Sequence, residues 1–219
     1  MQTQSNRMDL AVFTFNPFQE NTYVLFDDTN ECVIIDPGCS NASENAQLVD
    51  FIESKELKPV KLINTHCHID HVLGNHFVAE KYNLPLISHK GETGVLAMQP
   101  QISTMYGIPY TPSPEITEFL DEGDIVSFGH SDLKVLFTPG HSPASISFYN
   151  EDTRTLIAGD VLFQGSIGRT DLPGGDFDTL AKSIKDKFYV LPDDVVVYPG
   201  HGPSTTIGVE KMSNGFVRA

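Results

Sequence analysis

Residues 65–71 constrain this sequence more than any other segment, because they place three histidines and an aspartate within six positions. The segment directly follows residues 61–64, which are predicted to form a buried strand. Several polar side chains crowded behind a buried strand carry a high desolvation cost unless a cation binds them. The segment therefore predicts a metal site at the end of a strand, with four candidate ligands: His66, His68, Asp70 and His71.

Three further candidates, His141, Asp160 and His201, share a position in their own segments. Each comes just after a predicted strand and directly after a glycine. The glycine lets the backbone turn sharply or approach a neighbour closely. Sites in α/β proteins often form at the carboxyl ends of strands, where loops from several strands meet. The spacing therefore predicts that four strand ends converge on one site.

Short apolar runs separated by turn residues predict strands in both halves of the chain, and helices alternate with them. The first half is predicted to contain strands at 10–15, 22–26, 32–35, 61–64 and 84–88 and helices at 43–56, 71–82 and 93–98. The second half is predicted to contain strands at 125–128, 133–138, 145–149, 155–158 and 195–198 and a helix at 178–188. Residues 99–117 hold four prolines, which predicts a long loop or lid. This pattern predicts two sheets packed face to face, with helices outside.

Length and charge narrow the class of protein. Residues 1–219 are enough for one good-sized core and are predicted to form a single domain. The formal charge of −15 repels a phosphate backbone, so nucleic acid is not expected as a partner.

The sequence shows neither a membrane-spanning apolar run nor the pattern of a secretory signal. No apolar run approaches the roughly 20 residues of a membrane helix, and residues 1–9 lack the apolar core of a secretory signal. An odd set of three cysteines fits a reducing compartment. We expect a cytoplasmic protein without a membrane partner, and the sequence leaves its oligomeric state open.

Together these residues resemble the metallo-β-lactamase superfamily, whose signature His-x-His-x-Asp-His precedes a separate histidine, an aspartate and a last histidine. All seven positions match, and the match covers nearly the whole chain. The resemblance implies an α/β fold, the four-layer αββα sandwich, and a centre of two divalent metal ions. It assigns one ion to His66, His68 and His141, the other to Asp70, His71 and His201, and the bridge between them to Asp160.

Residues 165–176 and 200–208 look like the short bacterial glyoxalase II-type hydrolases. This likeness implies hydrolysis of a small-molecule thioester such as an S-acylglutathione. Nitrogen and oxygen donors suit zinc first, and iron or manganese as well. Two such ions lower the pKa of a shared water and supply a metal-bound hydroxide as nucleophile. Asp70 is the expected catalytic residue, orienting the nucleophile or accepting a proton.

Some assignments stay open at the level of sequence. Arg169 is the candidate for binding a substrate carboxylate, and an ion pair with Asp171 or Asp176 explains it equally well. Cys67 stands between two ligands, and alternation predicts that its side chain points away from them. Two other functions compete with thioester hydrolysis. One is an iron-dependent persulfide dioxygenase, whose family looks similar through the Gly-Arg-Thr-Asp segment, and the other is a non-catalytic, metal-stabilised binding protein.

Overall fold

Two six-stranded sheets form the centre of this computed structural model, which describes residues 8–219. Most of the polar segment 1–9 therefore lies outside the described residues. The first sheet has the order β1 (Asp9–Phe15), β2 (Glu20–Phe26), β3 (Glu31–Ile35), β4 (Lys58–Ile63), β5 (Leu86–Ser88) and β6 (Ile116–Phe119). The second has the order β14 (Thr205–Thr206), β13 (Val196–Pro199), β10 (Thr155–Gly159), β9 (Ile146–Asn150), β8 (Ser131–Phe137) and β7 (Ile125–Phe128). A small hairpin joins β11 (Leu162–Phe163) to β12 (Ser166–Ile167).

Helices connect the parallel strands of both sheets. Strands β3 to β6 run parallel, and they are joined in turn across α1 (Ala42–Ser54), α3 (Asn75–Tyr82) and α4 (Thr93–Tyr106). In the second sheet β13 runs parallel to β10 and follows α5 (Phe177–Ser183), while α6 (Ile207–Ser213) comes after β14. The short α2 (Ile69–Val72) lies within the candidate ligand segment. Parallel strands end at the same edge of a sheet, so the loops after them share that edge.

Three apolar clusters separate four layers of secondary structure. Leu25 and Ile35 belong to the cluster between the two sheets. Their neighbours Val24 and Ile34 belong to a different cluster, which packs the first sheet on α1, α3 and α4. This division follows from the alternation of side chains along a strand. A third cluster packs the second sheet on α5 and α6. The α/β four-layer sandwich expected from the sequence is thereby confirmed.

The structure corrects the prediction of a loop or lid over residues 99–117 at both ends, while residues 107–115 between them form a loop. Helix α4 continues to Tyr106 with Pro100 inside it, and residues 116–119 form strand β6. A proline removes one helical hydrogen bond, which on its own predicts a break. Here Leu96, Gln99 and Ser103 bury one face of the helix against the protein, and this packing stabilises the helix across the proline. The helical part of the segment forms one wall of the cavity described below.

Two smaller differences concern helix and strand limits. The single helix predicted over 71–82 is divided into α2 and α3 around Gly74, where a Cβ would collide with Cys39 Sγ and Pro37 O. The short strands β11, β12 and β14 and the helix α6 were not predicted from the sequence, because each has too few residues to show a period. Among residues 8–219 there is no helix with the length and apolar character needed to cross a membrane.

Candidate metal centre

The seven candidate ligands meet at one edge of the two sheets. His66 follows β4, His141 follows β8, Asp160 follows β10 and His201 follows β13. Asp70 and His71 stand in α2, which begins just after the loop that carries His66 and His68. The convergence of four strand ends, expected from the sequence, is what the structure shows.

Six of these residues form two groups of three. The histidine cluster consists of His66, His68 and His141, and the mixed cluster consists of Asp70, His71 and His201. Within each cluster the ligand atoms all lie within 4.8 Å of one another. In the histidine cluster, His68 Nδ1 is 2.9 Å from His141 Nε2. In the mixed cluster, Asp70 Oδ2 is 2.9 Å from His201 Nε2 and 3.5 Å from His71 Nε2.

Asp160 stands between the two clusters. Its Oδ2 lies 3.4 Å from His141 Nε2 in the histidine cluster and 3.5 Å from His201 Nε2 in the mixed cluster. Its Oδ1 lies 3.4 Å from His71 Nε2. One carboxylate therefore faces the ligand atoms of both groups, which is the arrangement that a bridging ligand requires.

Four of the histidines have their Nδ1 atoms engaged by the protein. His71 Nδ1 lies 3.0 Å from Asp36 Oδ2, and His141 Nδ1 lies 2.8 Å from the main-chain oxygen of Arg169. His201 Nδ1 is 3.1 Å from the main-chain oxygen of Phe18, and His66 Nδ1 is 3.0 Å from the hydroxyl of Thr65. When the imidazole is neutral, donation of Nδ1–H to these oxygens leaves the lone pair on Nε2, where a metal would bind.

Three buried atoms at the centre test whether a cation fits. His66 Nε2, His71 Nε2 and Asp160 Oδ1 are inaccessible to solvent, and none makes a well-aligned hydrogen bond among the described residues, although the last two face each other at 3.4 Å. Unpaired buried polar atoms are costly, and their convergence from separate loops is hard to explain by packing alone. Nitrogen and carboxylate oxygen donors are the ligands that zinc and iron take in proteins. The residues present therefore fit a pair of divalent cations.

The two clusters differ in charge. Burial, reinforced by the neighbouring His71 and His68, holds the pKa of His66 well below its usual range. Burial and the nearby His141 lower the pKa of His68 to about 4. In the mixed cluster burial opposes a charged imidazole, but the carboxylates of Asp70 and Asp160 outweigh it and raise the pKa of His71 well above its usual value. Asp70 and Asp160 also outweigh burial at His201 and raise its pKa.

A buried carboxylate that sequence reasoning missed supports the histidine cluster. Glu92 Oε2 accepts a hydrogen bond from the Cys67 backbone N–H at 2.9 Å. Its Oε1 accepts from Ser142 Oγ at 2.6 Å and from the Ala144 backbone N–H at 2.9 Å. Glu92 is fully buried and thus ties the loop of His66 and His68 to the loop of His141. No spacing in the sequence distinguishes it from an ordinary helix-end glutamate.

A different carboxylate, Asp36, supports the mixed cluster. Asp36 Oδ1 accepts from the Thr65 backbone N–H at 2.7 Å, and its Oδ2 accepts from Thr65 Oγ1 at 2.6 Å. The same Oδ2 lies 3.0 Å from His71 Nδ1, and the fully buried Glu20 lies behind, with Oε1 3.9 Å from that nitrogen. Asp36 had a usable signal, because it ends a predicted strand at the same edge as the ligands.

Two of the glycines that precede ligands have a clear structural role. Gly159 has a φ of +56°, a left-handed conformation that turns the chain into Asp160 and that other residues adopt at a cost. A Cβ at Gly200 would overlap Asp160 Oδ1 and stand 2.7 Å from His71 Cε1. The glycine at 200 therefore lets the backbone before His201 approach the other ligands.

Arg169 is placed by the structure in an ion pair. Its Nε and Nη2 donate to the two carboxylate oxygens of Asp171 at 2.6 and 2.8 Å, and both side chains are largely exposed. Its main-chain oxygen, meanwhile, accepts from His141. Cys67 packs in the apolar cluster between the first sheet and its helices, with a thiol whose pKa is raised by burial.

A cavity of about 470 Å³ opens over the seven ligands. Asp70, Asp160 and three of the histidines form part of its lining, and most of the remaining wall is apolar. One side is helix α4, and another is the segment from the hairpin β11–β12 to Pro173. This size is within the range of pockets that bind small molecules.

Comparison with known proteins agrees with this geometry. The family model of the metallo-beta-lactamase superfamily matches residues 15–201, and the chain belongs to that superfamily. It is 41% identical over 204 residues to the probable metallo-hydrolase YqgX of Bacillus subtilis (strain 168), covering 92% of this chain and 93% of that protein. It is 36% identical over 219 residues to the hydroxyacylglutathione hydrolase GloC of Haemophilus influenzae (strain ATCC 51907 / DSM 11121 / KW20 / Rd), covering 97% and 99%.

Solved structures are similar over nearly the whole chain. The crystal structure of the B3 metallo-beta-lactamase BLEG-1 has a TM-score of 0.88 and 36% identity, covering 96% of this chain and 100% of that one. The crystal structure of TTHA1623 in a di-iron-bound form has a TM-score of 0.85 and 34% identity, covering 94% and 100%. These likenesses make the chain a member of a metal-dependent hydrolase superfamily whose fold holds two metal ions.

Proposed function

We propose that this protein hydrolyses thioesters such as S-acylglutathiones with the help of two divalent cations. The observation that carries the proposal is the convergence of seven nitrogen and oxygen donors, three with unpaired buried atoms, at the floor of a cavity of about 470 Å³. The likeness to a hydroxyacylglutathione hydrolase supports a thioester as the substrate.

The proposed ligand sets are those of the two clusters. His66, His68 and His141 would hold one ion, Asp70, His71 and His201 the other, and Asp160 would contact both. Such ions lower the pKa of a water and polarise a carbonyl. We propose zinc in both positions. Iron is supported by the di-iron form of a similar structure, and manganese suits the same donors.

Asp70 is the proposed catalytic side chain. It lines the cavity, and its Oδ2 contacts both histidines of the mixed cluster. A carboxylate in this position orients a water toward the acyl carbon and accepts its proton. Water adds to the acyl carbon, the carbon–sulfur bond breaks, and the products are a carboxylic acid and a thiol. A thiol pKa of about 8.5 makes the thiolate a good leaving group that needs little proton donation.

A panel of three assays on protein of known metal content tests the proposal. We expect hydrolysis of S-lactoylglutathione by the zinc form, no oxygen uptake with glutathione persulfide, and slower hydrolysis of a lactone. Oxygen uptake by the iron form would support the persulfide dioxygenase instead. Absence of turnover on every substrate, with both ions bound, would support a binding protein and overturn the proposal.

We also propose that the protein acts in the cytoplasm on a small-molecule substrate. Cys32, Cys39 and Cys67 are all buried and unpaired in the structure, as a reducing compartment allows. Fractionation of cells that express a tagged chain tests the location.

A further inference from the structure

The cavity has one wall that the hydrolytic chemistry does not use. Helix α4 contributes Val95, Met98, Ile102 and Tyr106 to the lining. The Tyr106 ring packs edge to face on Phe18, another lining residue, with ring centroids 5.7 Å apart. The main-chain oxygens of Phe18 and its neighbour Gln19 both accept from His201 Nδ1. The apolar wall therefore begins directly beside the mixed cluster.

This wall carries no charge along the whole stretch that α4 contributes. The lining residues from α4 are apolar, apart from the amide of Gln99 and the phenol of Tyr106. Among the described lining residues Arg169 is the single lysine or arginine, and Asp171 already pairs with it. An anionic group would thus meet no positive side chain on α4, whereas an apolar group would replace water there and gain free energy.

We propose that the α4 wall binds the acyl group of the substrate, so that the enzyme prefers thioesters of longer apolar acids to those of small hydroxy acids. The proposal rests on the proposed thioesterase function and names its substrate class. The reacting carbonyl has to lie over the ligands at the cavity floor. The acyl chain attached to it then extends along the neighbouring apolar wall, while the polar thiol part lies toward the solvent and Arg169.

The size of the expected preference follows from burial of methylene groups. One fully buried methylene strengthens binding by up to about fourfold, and partial burial by about twofold. The value of kcat/KM should therefore rise about twofold to fourfold for each carbon added to the acyl chain, until the wall is covered. Lactoylglutathione has a short chain and a hydroxyl, so its kcat/KM should be lower than that of butanoylglutathione.

The experiment measures kcat/KM for the zinc-loaded protein on S-acylglutathiones from acetyl to octanoyl. Met98→Ser, which removes an apolar side chain from the wall, should reduce the rise for each carbon. The matched control is Met105→Ser, on the same helix but outside the lining, which should leave the rise unchanged. Met98 is 46% exposed and Met105 74% exposed, so both variants are expected to fold, and thermal melting checks this.

A second measurement separates failure of this proposal from failure of the proposed function. Inhibition or direct binding by S-alkylglutathiones, which have no scissile carbonyl, should show the same dependence on chain length and the same sensitivity to Met98→Ser. If no thioester is hydrolysed but alkyl length still strengthens binding, the function is wrong and the wall assignment stands. Hydrolysis that is independent of chain length, or an equal effect of the Met98 and Met105 variants, would overturn the wall assignment.

Discussion

The two clusters bring three ligands together in different ways. In the histidine cluster, burial and neighbouring rings keep His66 and His68 neutral, so the nitrogen lone pairs are available without loss of a proton. In the mixed cluster, carboxylates raise the pKa of His71 well above its usual value and also raise that of His201, so a cation has to displace a proton from His71. The same fold edge thus offers one site prepared by desolvation and one prepared by opposite charge.

The two clusters also differ in the buried carboxylates that hold their ligands in place. Glu92 joins two loops of the histidine cluster through backbone and hydroxyl donors, none of which belongs to a ligand ring. Asp36 contacts a ligand directly, at His71 Nδ1. Substitution of Glu92 should therefore displace ligands of the histidine cluster, whereas substitution of Asp36 should alter the basicity of His71. Three measurements test this comparison, from the largest expected effect to the smallest, and a fourth with a smaller effect tests Arg169 beside it.

Asp160→Ala removes the carboxylate that both clusters share, and it should have the largest effect. Groups that hydrogen-bond to metal ligands already contribute about tenfold to a hundredfold in affinity or activity, and a shared ligand should contribute more. We expect both ions to bind weakly and nearly all hydrolysis to be lost, as measured by metal analysis and the thioester assay. Two tightly bound ions with full activity would show that Asp160 is no bridge.

Glu92→Ala should break the histidine cluster selectively. It leaves three buried donors without a partner, which we expect to lower the free energy of unfolding of the metal-free protein by about 3–5 kcal/mol. Affinity for the ion in the histidine cluster should fall about tenfold to a hundredfold. Chemical denaturation and metal titration measure the two effects.

Two further variants control this result. Glu92→Gln keeps one acceptor oxygen and should therefore recover part of both losses. Recovery should be incomplete because the amide nitrogen cannot accept from a backbone N–H. Glu118→Gln alters an exposed glutamate on β6 and should change neither quantity. An equal loss of affinity in the mixed cluster would mean that the two clusters are not supported separately.

The number of protons released on metal binding should differ between the two clusters. The pKa of His71 is raised, so near pH 7 this imidazole holds a proton that a cation must displace, and affinity falls as the pH is lowered. The pKa values of His66 and His68 are lowered, so neither of these imidazoles holds such a proton near pH 7. The His68→Ala variant removes a ligand of the histidine cluster and keeps the mixed cluster intact. The His201→Ala variant does the reverse.

Calorimetric titration of these two variants in buffers of different ionisation enthalpy measures the protons released. We expect about one more proton per ion from the mixed cluster than from the histidine cluster. Equal release from both would show that the clusters share one protonation state, contrary to the comparison.

Arg169→Ala should have the smallest effect. The guanidinium already pairs with Asp171, and exposed ion pairs contribute about 0–1 kcal/mol to stability, so the melting temperature should hardly change. If the guanidinium also binds a substrate carboxylate, the role for which the sequence makes it a candidate, KM for S-acylglutathiones should rise by up to about tenfold with little change in kcat. Arg169→Lys should recover part of this, because it retains the charge and loses the fork.

Asp171→Asn frees the same guanidinium and should lower KM for S-acylglutathiones. A neutral thioester without a carboxylate should respond to none of these changes. Equal responses on charged and neutral thioesters would mean that Arg169 holds its loop together and does not bind substrate.

The sequence predicted the parts of the molecule in which local pattern and chemistry agree. The candidate ligand residues, their place after strands and most of the strands and helices follow from periodicity and from glycine and histidine spacing. Helix α4 was missed beyond Met98 because Pro100 is a helix breaker locally, and only the packing of residues such as Leu96 and Ser103 overrides it. Glu92 was missed because its three partners are brought to it only by the tertiary fold.

Neither cluster is contributed by a continuous part of the chain. His66 and His68 follow a strand of the first sheet while His141 follows one of the second, and Asp70 and His71 likewise meet His201 from the far side. A growing chain cannot complete the histidine cluster before residue 141 is made, nor the mixed cluster before residue 201. Each ion would act as a cross-link between segments synthesised early and late, and its binding free energy would add to that of docking one sheet on the other.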